Sequence, residues 1–346
     1  MKLLKMTVSC IGLLIFTITV RADSSCALAD CSGEVGISVA EMLAYPTPNV
    51  RPLTPNDALL YDRTYRRVGK DVQIRETPNG NVASTLGAGF NYVTVLRSEN
   101  GWSEISPDHW VPSDVLSEDV LLSRFAGVRL PEEPLPYPMA WLLKHVRPSA
   151  SPGEDAAPDA MLLYRYTRVS LFNAVDADGY LWYQIGPGQW VHQFNVAQII
   201  PVDRPADVDT ERWISVDLYE QVVIAYENDK PVFATLVSSG LPEWSTNEGL
   251  FHIYIRYPRT LMSGANGQPD FYYLEEVPWT MYFDDDIALH GTYWHDGFGY
   301  RQSHGCVNLS ITDANWLYSW TAEEFDYSVD NDLGPAVFVY SSGDYK

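Results

Sequence analysis

The chain has 346 residues, 46% of them apolar and 13% aromatic, which is ample for packed cores and excludes wholesale disorder. Its 23 Lys and Arg stand against 45 Asp and Glu, a net charge of -22, so nucleic acid and anionic membrane surfaces are unfavourable partners. The 22 Tyr, 11 Trp, 23 Gly and 23 Pro suit short strands joined by tight turns, and a mainly β protein is expected.

Lys2 and Lys5 precede an apolar run from Met6 to Val20, and Val20-Arg21-Ala22 offers small residues before a cut. That run is about fifteen residues where a bilayer core needs about twenty. Residues 1–22 therefore read as a signal peptide, giving an exported chain with no membrane attachment after cleavage. Loss of Lys2, Lys5 and Arg21 makes the mature chain still more acidic. Cys10 leaves with the signal, and Cys26 and Cys31 are close enough in sequence to close a small disulfide. Cys306 is left over, and a lone thiol outside the cytosol is either a nucleophile or an inert core residue.

Residues 23–60 are expected to be a Pro-rich linker, extended over 41–60. From Tyr61, short β-rich runs follow at Val72–Arg75, Tyr92–Leu96, Trp102–Ile105 and Trp110-Val111, separated by Pro78-Asn79-Gly80, Asn100-Gly101 and Pro107-Asp108 turns. The pattern recurs: Trp182–Ile185 maps onto Trp102–Ile105, Trp190-Val191 onto Trp110-Val111, Val196 onto Val115, and Val146-Arg147 onto Ile74-Arg75. The second copy carries an insert around Ser149–Asp159. On this turn and Trp spacing, residues 61–118 and 136–202, joined by a linker at 119–135, resemble bacterial SH3-like domains.

Past residue 208 the texture changes to strand pairs at Ile214–Leu218, Gln221–Tyr226 and Val232–Val237 with hairpin-length connections. Phe251–Tyr257, a long mixed segment over 258–280 and a strand at Ile287–His290 come next. Ser310 is placed to cap a short helix over Thr312–Tyr318, and a strand at Ala336–Tyr340 closes the chain.

The densest chemistry lies in 290–308, which holds three of the seven His residues and Cys306. An unperturbed thiol is only a few per cent ionised at neutral pH, and an adjacent imidazole such as His290 or His304 would raise that fraction by forming an ion pair. Gly305 lets a backbone N–H approach a substrate carbonyl with no side chain in the way.

His290-Gly291 followed by Ser303-His304-Gly305-Cys306-Val307-Asn308 resembles the signature of L,D-transpeptidases of the YkuD type. The likeness runs over about 210–341 and includes Thr246-Asn247-Glu248-Gly249-Leu250-Phe251, in the place of the family's Thr-Pro-x-Gly-x-Phe hairpin, with Asn247 for the usual Pro. The resemblance implies a β-rich catalytic domain over 208–346 with a short helix, in which a Cys attacks the amide after the third residue of a peptidoglycan tetrapeptide stem and expels D-alanine. An amine of another stem then resolves the acyl-enzyme as a 3→3 cross-link. Position by position, Cys306 matches the nucleophile, His290 its base and acid, and Gly291 the position that orients His290. His304, Gly305 and Cys306 match the oxyanion stretch, Ser303 a loop-shaping hydrogen-bonder and Asn308 a substrate-site residue. The segment from Tyr257 to Phe283 lies where related enzymes carry a flap, and its Gly264, Gly267 and Phe271-Tyr272-Tyr273 suit either a mobile lid or an ordinary loop.

The implied partners are peptidoglycan stem peptides, with a carbapenem as covalent inhibitor, and the implied location is the cell wall or a periplasm-like space. No cofactor is implied. A zinc site at His290, His295, His304 and Cys306 lacks a paired ligand spacing. Asp30-Cys31-Ser32-Gly33 imitates the motif of NlpC-type cysteine peptidases but has no domain around it. The alternatives are an L,D-carboxypeptidase, with water as acceptor, and a non-catalytic wall-binding protein.

Overall fold

Ile214, Val216 and Leu218 alternate with Trp213, Ser215 and Asp217, and both sets are buried. A strand with two buried faces needs a layer on each side. The computed structural model, which describes residues 36–325 and 333–344, supplies both layers. The signal segment 1–22, Cys26, Cys31 and the Asp30–Gly33 motif lie outside the described residues. The fold is mainly β, and among the described residues one helix is longer than two turns.

In the first repeat, β1 (Tyr65–Val68) and β2 (Phe90–Thr94) pair antiparallel, and Val72–Arg75, Val82–Leu86, Trp102–Ser106 and His109–Pro112 belong to a second sheet beside them. The second repeat holds Met139–Leu142, Arg168–Ser170 and Val196–Gln198 in one sheet, and Asn173–Ala177, Tyr180–Gly186 and Gln189–His192 in another. The two repeats agree in detail. Each hairpin (Trp102–Ser106 with His109–Pro112; Tyr180–Gly186 with Gln189–His192) runs into a single 3-10 turn, at Ser113–Val115 and at Gln193–Asn195. Two sequence equivalences shift. Val196 opens the strand after its 3-10 turn and so corresponds to Leu116, whereas Val115 ends the turn. Arg75 pairs with Trp110 and Ser149 with Trp190, so Ser149 and not Arg147 matches Arg75.

The carboxy-terminal region begins with the meander β3 (Arg212–Asp217), β4 (Val222–Glu227) and β5 (Lys230–Leu236). After β6 (Gly249–His252) come a long hairpin of β7 (Ile255–Gly264) and β8 (Tyr272–Asp284), then β9 (Ile287–Thr292) and β10 (Val307–Ser310). Helix α1 (Ile311–Thr321) starts where Ser310 Oγ accepts the Asp313 N–H, and β11 (Ala336–Tyr340) pairs parallel with β3. The mixed segment 258–280 is thus mostly a regular hairpin. Its period was hidden by a register shift between Thr260 and Met262 and by positive φ at Glu276 and Trp279.

Ile214, Val216, Val223, Phe233 and Val337 pack on Met281, Leu289, Val307, Leu309 and Leu317, forming the core between the two large sheets and α1. On the opposite face, Trp213, Ile224, Tyr226 and Leu236 meet Met139, Trp141, Leu143 and Ala197 of the second repeat. The first repeat is joined more directly, since β2 pairs parallel with β8 and one seven-stranded sheet runs β10-β9-β8-β2-β1 and on to Leu116-Ser117. The described part of the 23–60 segment, residues 36–60, read as a Pro-rich linker, is also drawn in. Helices Val39–Ala44 and Asp57–Leu60 form there, Leu60 is fully buried, and Arg51-Pro52 pairs with Val128-Arg129, which in turn pairs with β5. Among the described residues no helix is long and apolar enough to cross a membrane.

Candidate active site

β9 and β10 run parallel, with Leu289 opposite Val307 and His290 opposite Asn308. Side chains alternate across a sheet, so Leu289, Val307 and Leu309 enter the core while His290, Cys306 and Asn308 share the other face. There they line a cleft of about 570 Å³ whose further walls are Tyr272 and Leu274 of the hairpin and Arg67 and Phe90 of the first repeat.

His290 is 2% exposed and its Nδ1–H donates to the Gly291 carbonyl at 3.0 Å. That bond fixes the tautomer and leaves the lone pair on Nε2. Burial pushes His290 down to about 4 despite the Gly291 carbonyl. Cys306 carries a free, partly exposed thiol. Its pKa is pushed up to about 11 by burial, against the Ala288 N–H and with help from the Asp286 carboxylate, and the S–H donates to the Asp286 carbonyl at 3.7 Å. The thiolate–imidazolium pair expected from sequence is therefore replaced by a neutral thiol and a neutral imidazole. Desolvation penalises both charged forms more than the surrounding dipoles favour them.

The turn before Cys306 is tied by the hydroxyls of Ser303 and Thr246. Ser303 Oγ accepts the Gly305 N–H at 3.1 Å and donates to the Cys306 carbonyl at 2.5 Å. Thr246 Oγ1 donates to the Gly305 carbonyl at 2.7 Å and accepts the Gly240 N–H at 3.0 Å. Gly305 has φ of 117°, which an L side chain rarely adopts. Since the Gly305 N–H already serves Ser303, it is not free to face a substrate oxygen. The His304 ring lies in the mouth, 4.1 Å from the Trp244 ring centroid and 5.2 Å from that of Tyr272. Asn247, in the place of the usual Pro, donates to the Asp284 carboxylate at 2.8 Å and so restrains its turn by a hydrogen bond.

Four parts of the site had no catalytic or substrate role assigned from the sequence. His295 Nδ1 accepts the Gly297 N–H at 3.0 Å, and its Nε2 lies 2.9 Å from the Asn308 amide. The amide atom there is Asn308 Nδ2, and because a neutral ring that accepts at Nδ1 must donate at Nε2, the contact is a hydrogen bond only with the amide flipped to present its oxygen. Burial lowers His295 to about 3, which keeps that ring neutral. Arg165 and Tyr166 of the second repeat hold the same loop, both donating to the Asp296 carbonyl. Tyr293 is fully buried and stacks on Tyr65 with centroids 3.6 Å apart. Arg67 and Phe90 reach the cleft only because β2 pairs with β8, about 180 residues away in sequence. Among the described residues no three His, Cys, Asp or Glu groups converge on a point that could hold a metal ion.

Residues 211–335 match the family model described as the L,D-transpeptidase catalytic domain, YkuD. No curated protein matches the sequence. Among solved structures, the chain is similar to the Enterococcus faecium L,D-transpeptidase C442S mutant, at 24% identity over 38% of this chain and 50% of that one, with a TM-score of 0.32. It is similar to the L,D-transpeptidase LdtMt1 in complex with imipenem, at 18% identity over 38% and 59%, with a TM-score of 0.33. It is also similar to an L,D-transpeptidase from Mycobacterium smegmatis, at 17% identity over 64% and 93%, with a TM-score of 0.33. The chain spans about half the length of the first of these. The match of residues 211–335, which begins at β3 and takes in the His290 and Cys306 strands, makes this region an L,D-transpeptidase catalytic domain of the YkuD family.

Proposed function

We propose that the chain is an exported peptidoglycan L,D-transpeptidase in which Cys306 is the nucleophile and His290 the general base and acid. The observation that carries this reading is the free thiol of Cys306 on the same cleft-facing side of β9 and β10 as the deprotonated Nε2 of His290. Nε2 takes the thiol proton as sulfur bonds to the carbonyl carbon of the third stem residue. The imidazolium returns that proton to the departing amine as the amide C–N bond breaks, leaving a thioester and free D-alanine. An acceptor amine, its proton taken by Nε2, then attacks the thioester, and the thiol is regenerated as the 3→3 amide forms. Oxyanion support falls to the His304 and Cys306 backbone N–H groups, because Ser303 occupies that of Gly305. Asn308 and the Tyr272 face line the substrate's path.

Water in place of the amine would make the same site a carboxypeptidase, and a cleft that binds without reacting would make the chain a wall-binding module. A carbapenem separates enzyme from binder. The enzyme forms a covalent adduct at Cys306 that Cys306→Ala abolishes, and an adduct persisting in that variant would remove Cys306 from the mechanism. With tetrapeptide stems, cross-linked dimers in the mass spectrum indicate transpeptidation and tripeptides indicate carboxypeptidation.

A further inference from the structure

Most arginines around the first repeat hold carboxylates, and Arg75 holds the Gly80 carbonyl and the Gln73 side-chain oxygen. Arg66 pairs with Glu118, Arg63 with Glu276, Arg97 with Glu104, and Arg259 with Asp62. Arg67, one residue on from Arg66 in β1, faces the other side of the strand and lines the Cys306 cleft. No described carboxylate reaches it, and its Nε is buried without a hydrogen-bond partner. Arg75 and Arg204 also lack a carboxylate but donate to carbonyl oxygens, whereas Arg67 keeps an unmet Nε–H beside the cleft. Its Cζ lies 6.0 Å from the centroid of the Phe90 ring, which lines the same cleft and limits its freedom. Arg67 is also the one formally cationic side chain among the cleft residues, since burial lowers the pKa values of His290, His295 and His304.

We propose that Arg67 docks a carboxylate of the substrate, so that the amino-terminal repeat supplies a specificity-determining residue to the active site. A half-buried guanidinium with an unmet Nε–H matches a carboxylate, which can accept from Nε and one terminal nitrogen together. A stem peptide offers two sources of that chemistry, the carboxylate of its last residue and a side-chain carboxylate within the stem. The proposal rests on the stem-peptide reading of the cleft.

The test measures binding of three tetrapeptide stems to Cys306→Ala protein by calorimetry, and turnover of the same peptides by the Cys306 enzyme. One peptide is the free acid, one has its last carboxylate as the carboxamide, and one has its side-chain carboxylate amidated. One amidation is expected to weaken binding by about tenfold or more, as loss of a charge-assisted bond does. Adding Arg67→Gln should weaken the free acid to the same extent and make that amidation silent, which identifies the carboxylate concerned. An undiminished penalty for both amidations in Arg67→Gln, unchanged affinity, or no binding of any stem overturns the proposal. If the Gln variant melts below the parent, Arg67→Lys keeps charge and loses the fork; a loss of affinity smaller than tenfold is expected, and none at all overturns the idea. Arg67-dependent binding without any acyl-enzyme would retain this assignment and sink the transpeptidase reading. Normal turnover and discrimination in Arg67→Gln would do the reverse.

Discussion

Cys306 and His290 are both neutral near pH 7, and this sets how the site should respond to reagents. An alkylating agent such as iodoacetamide meets the sulfur without help from a leaving group, so its rate follows the thiolate fraction. With the thiol pushed up to about 11, alkylation of Cys306 should climb steadily from pH 6 to pH 9 with no plateau. Carbapenem acylation, in which Nε2 removes the proton during attack, should instead be nearly flat over that range, because His290 loses its proton near 4. A preformed ion pair predicts the opposite for alkylation, a high plateau at pH 6, so following Cys306 modification by mass across pH decides between them. That these groups meet at one cleft was legible in the sequence because His290, Ser303, His304, Cys306 and Asn308 lie in one short stretch. Their protonation was not legible, since it depends on burial by Phe90 and Tyr272 from two other segments.

At the level of elements, the Gly305-Cys306 turn depends on a neighbour outside the sequence signature. Gly240 follows β5 and sits against the turn, where a Cβ would lie 2.0 Å from the Trp244 carbonyl oxygen, 2.8 Å from the Thr246 nitrogen and 3.0 Å from Gly305 Cα. All three are backbone atoms, so Gly240→Ala has to push the Thr246 segment and the Gly305 turn apart. Misplacement of a catalytic group by about 1 Å costs on the order of a hundredfold in rate, so carbapenem acylation should fall by about that factor. Alkylation by iodoacetamide at pH 9, which needs no aligned base, should change little, and equal losses in both would mean that the thiol itself had been buried. Short β-branched or apolar runs bounded by turns, such as β3 to β5 and β11, could be placed from sequence nearly to the residue. The hairpin β7–β8 could not, because Pro258, Pro269 and Pro278 and a bulge interrupt its period.

Across the whole molecule, the repeats behave as layers of one structure. Described residues within 37–346 belong to one compact unit. The apolar run Val222-Val223-Ile224-Ala225-Tyr226 already points this way, because a strand exposed on one face would alternate with polar residues. What the sequence does not reveal is which segment covers the second face, since that depends on pairings between residues far apart such as Leu274 with Tyr92. Cutting the chain at residue 208 would bare Trp213, Ile224, Tyr226 and Leu236, and would open the edge of β8 that β2 now pairs. Burying one large apolar side chain is worth about 1.5–3 kcal/mol, and whole domains are stable by only about 5–15 kcal/mol. Uncovering four such residues therefore removes stability of the same order as the total. Residues 208–346 alone should lack a cooperative thermal transition and should associate, whereas residues 37–346 should melt in one step with coincident near- and far-ultraviolet circular dichroism. A soluble 208–346 fragment with a sharp melt close to that of the longer chain would show that the repeats are appended modules, and would leave Arg67 as a visitor to the cleft instead of part of its wall.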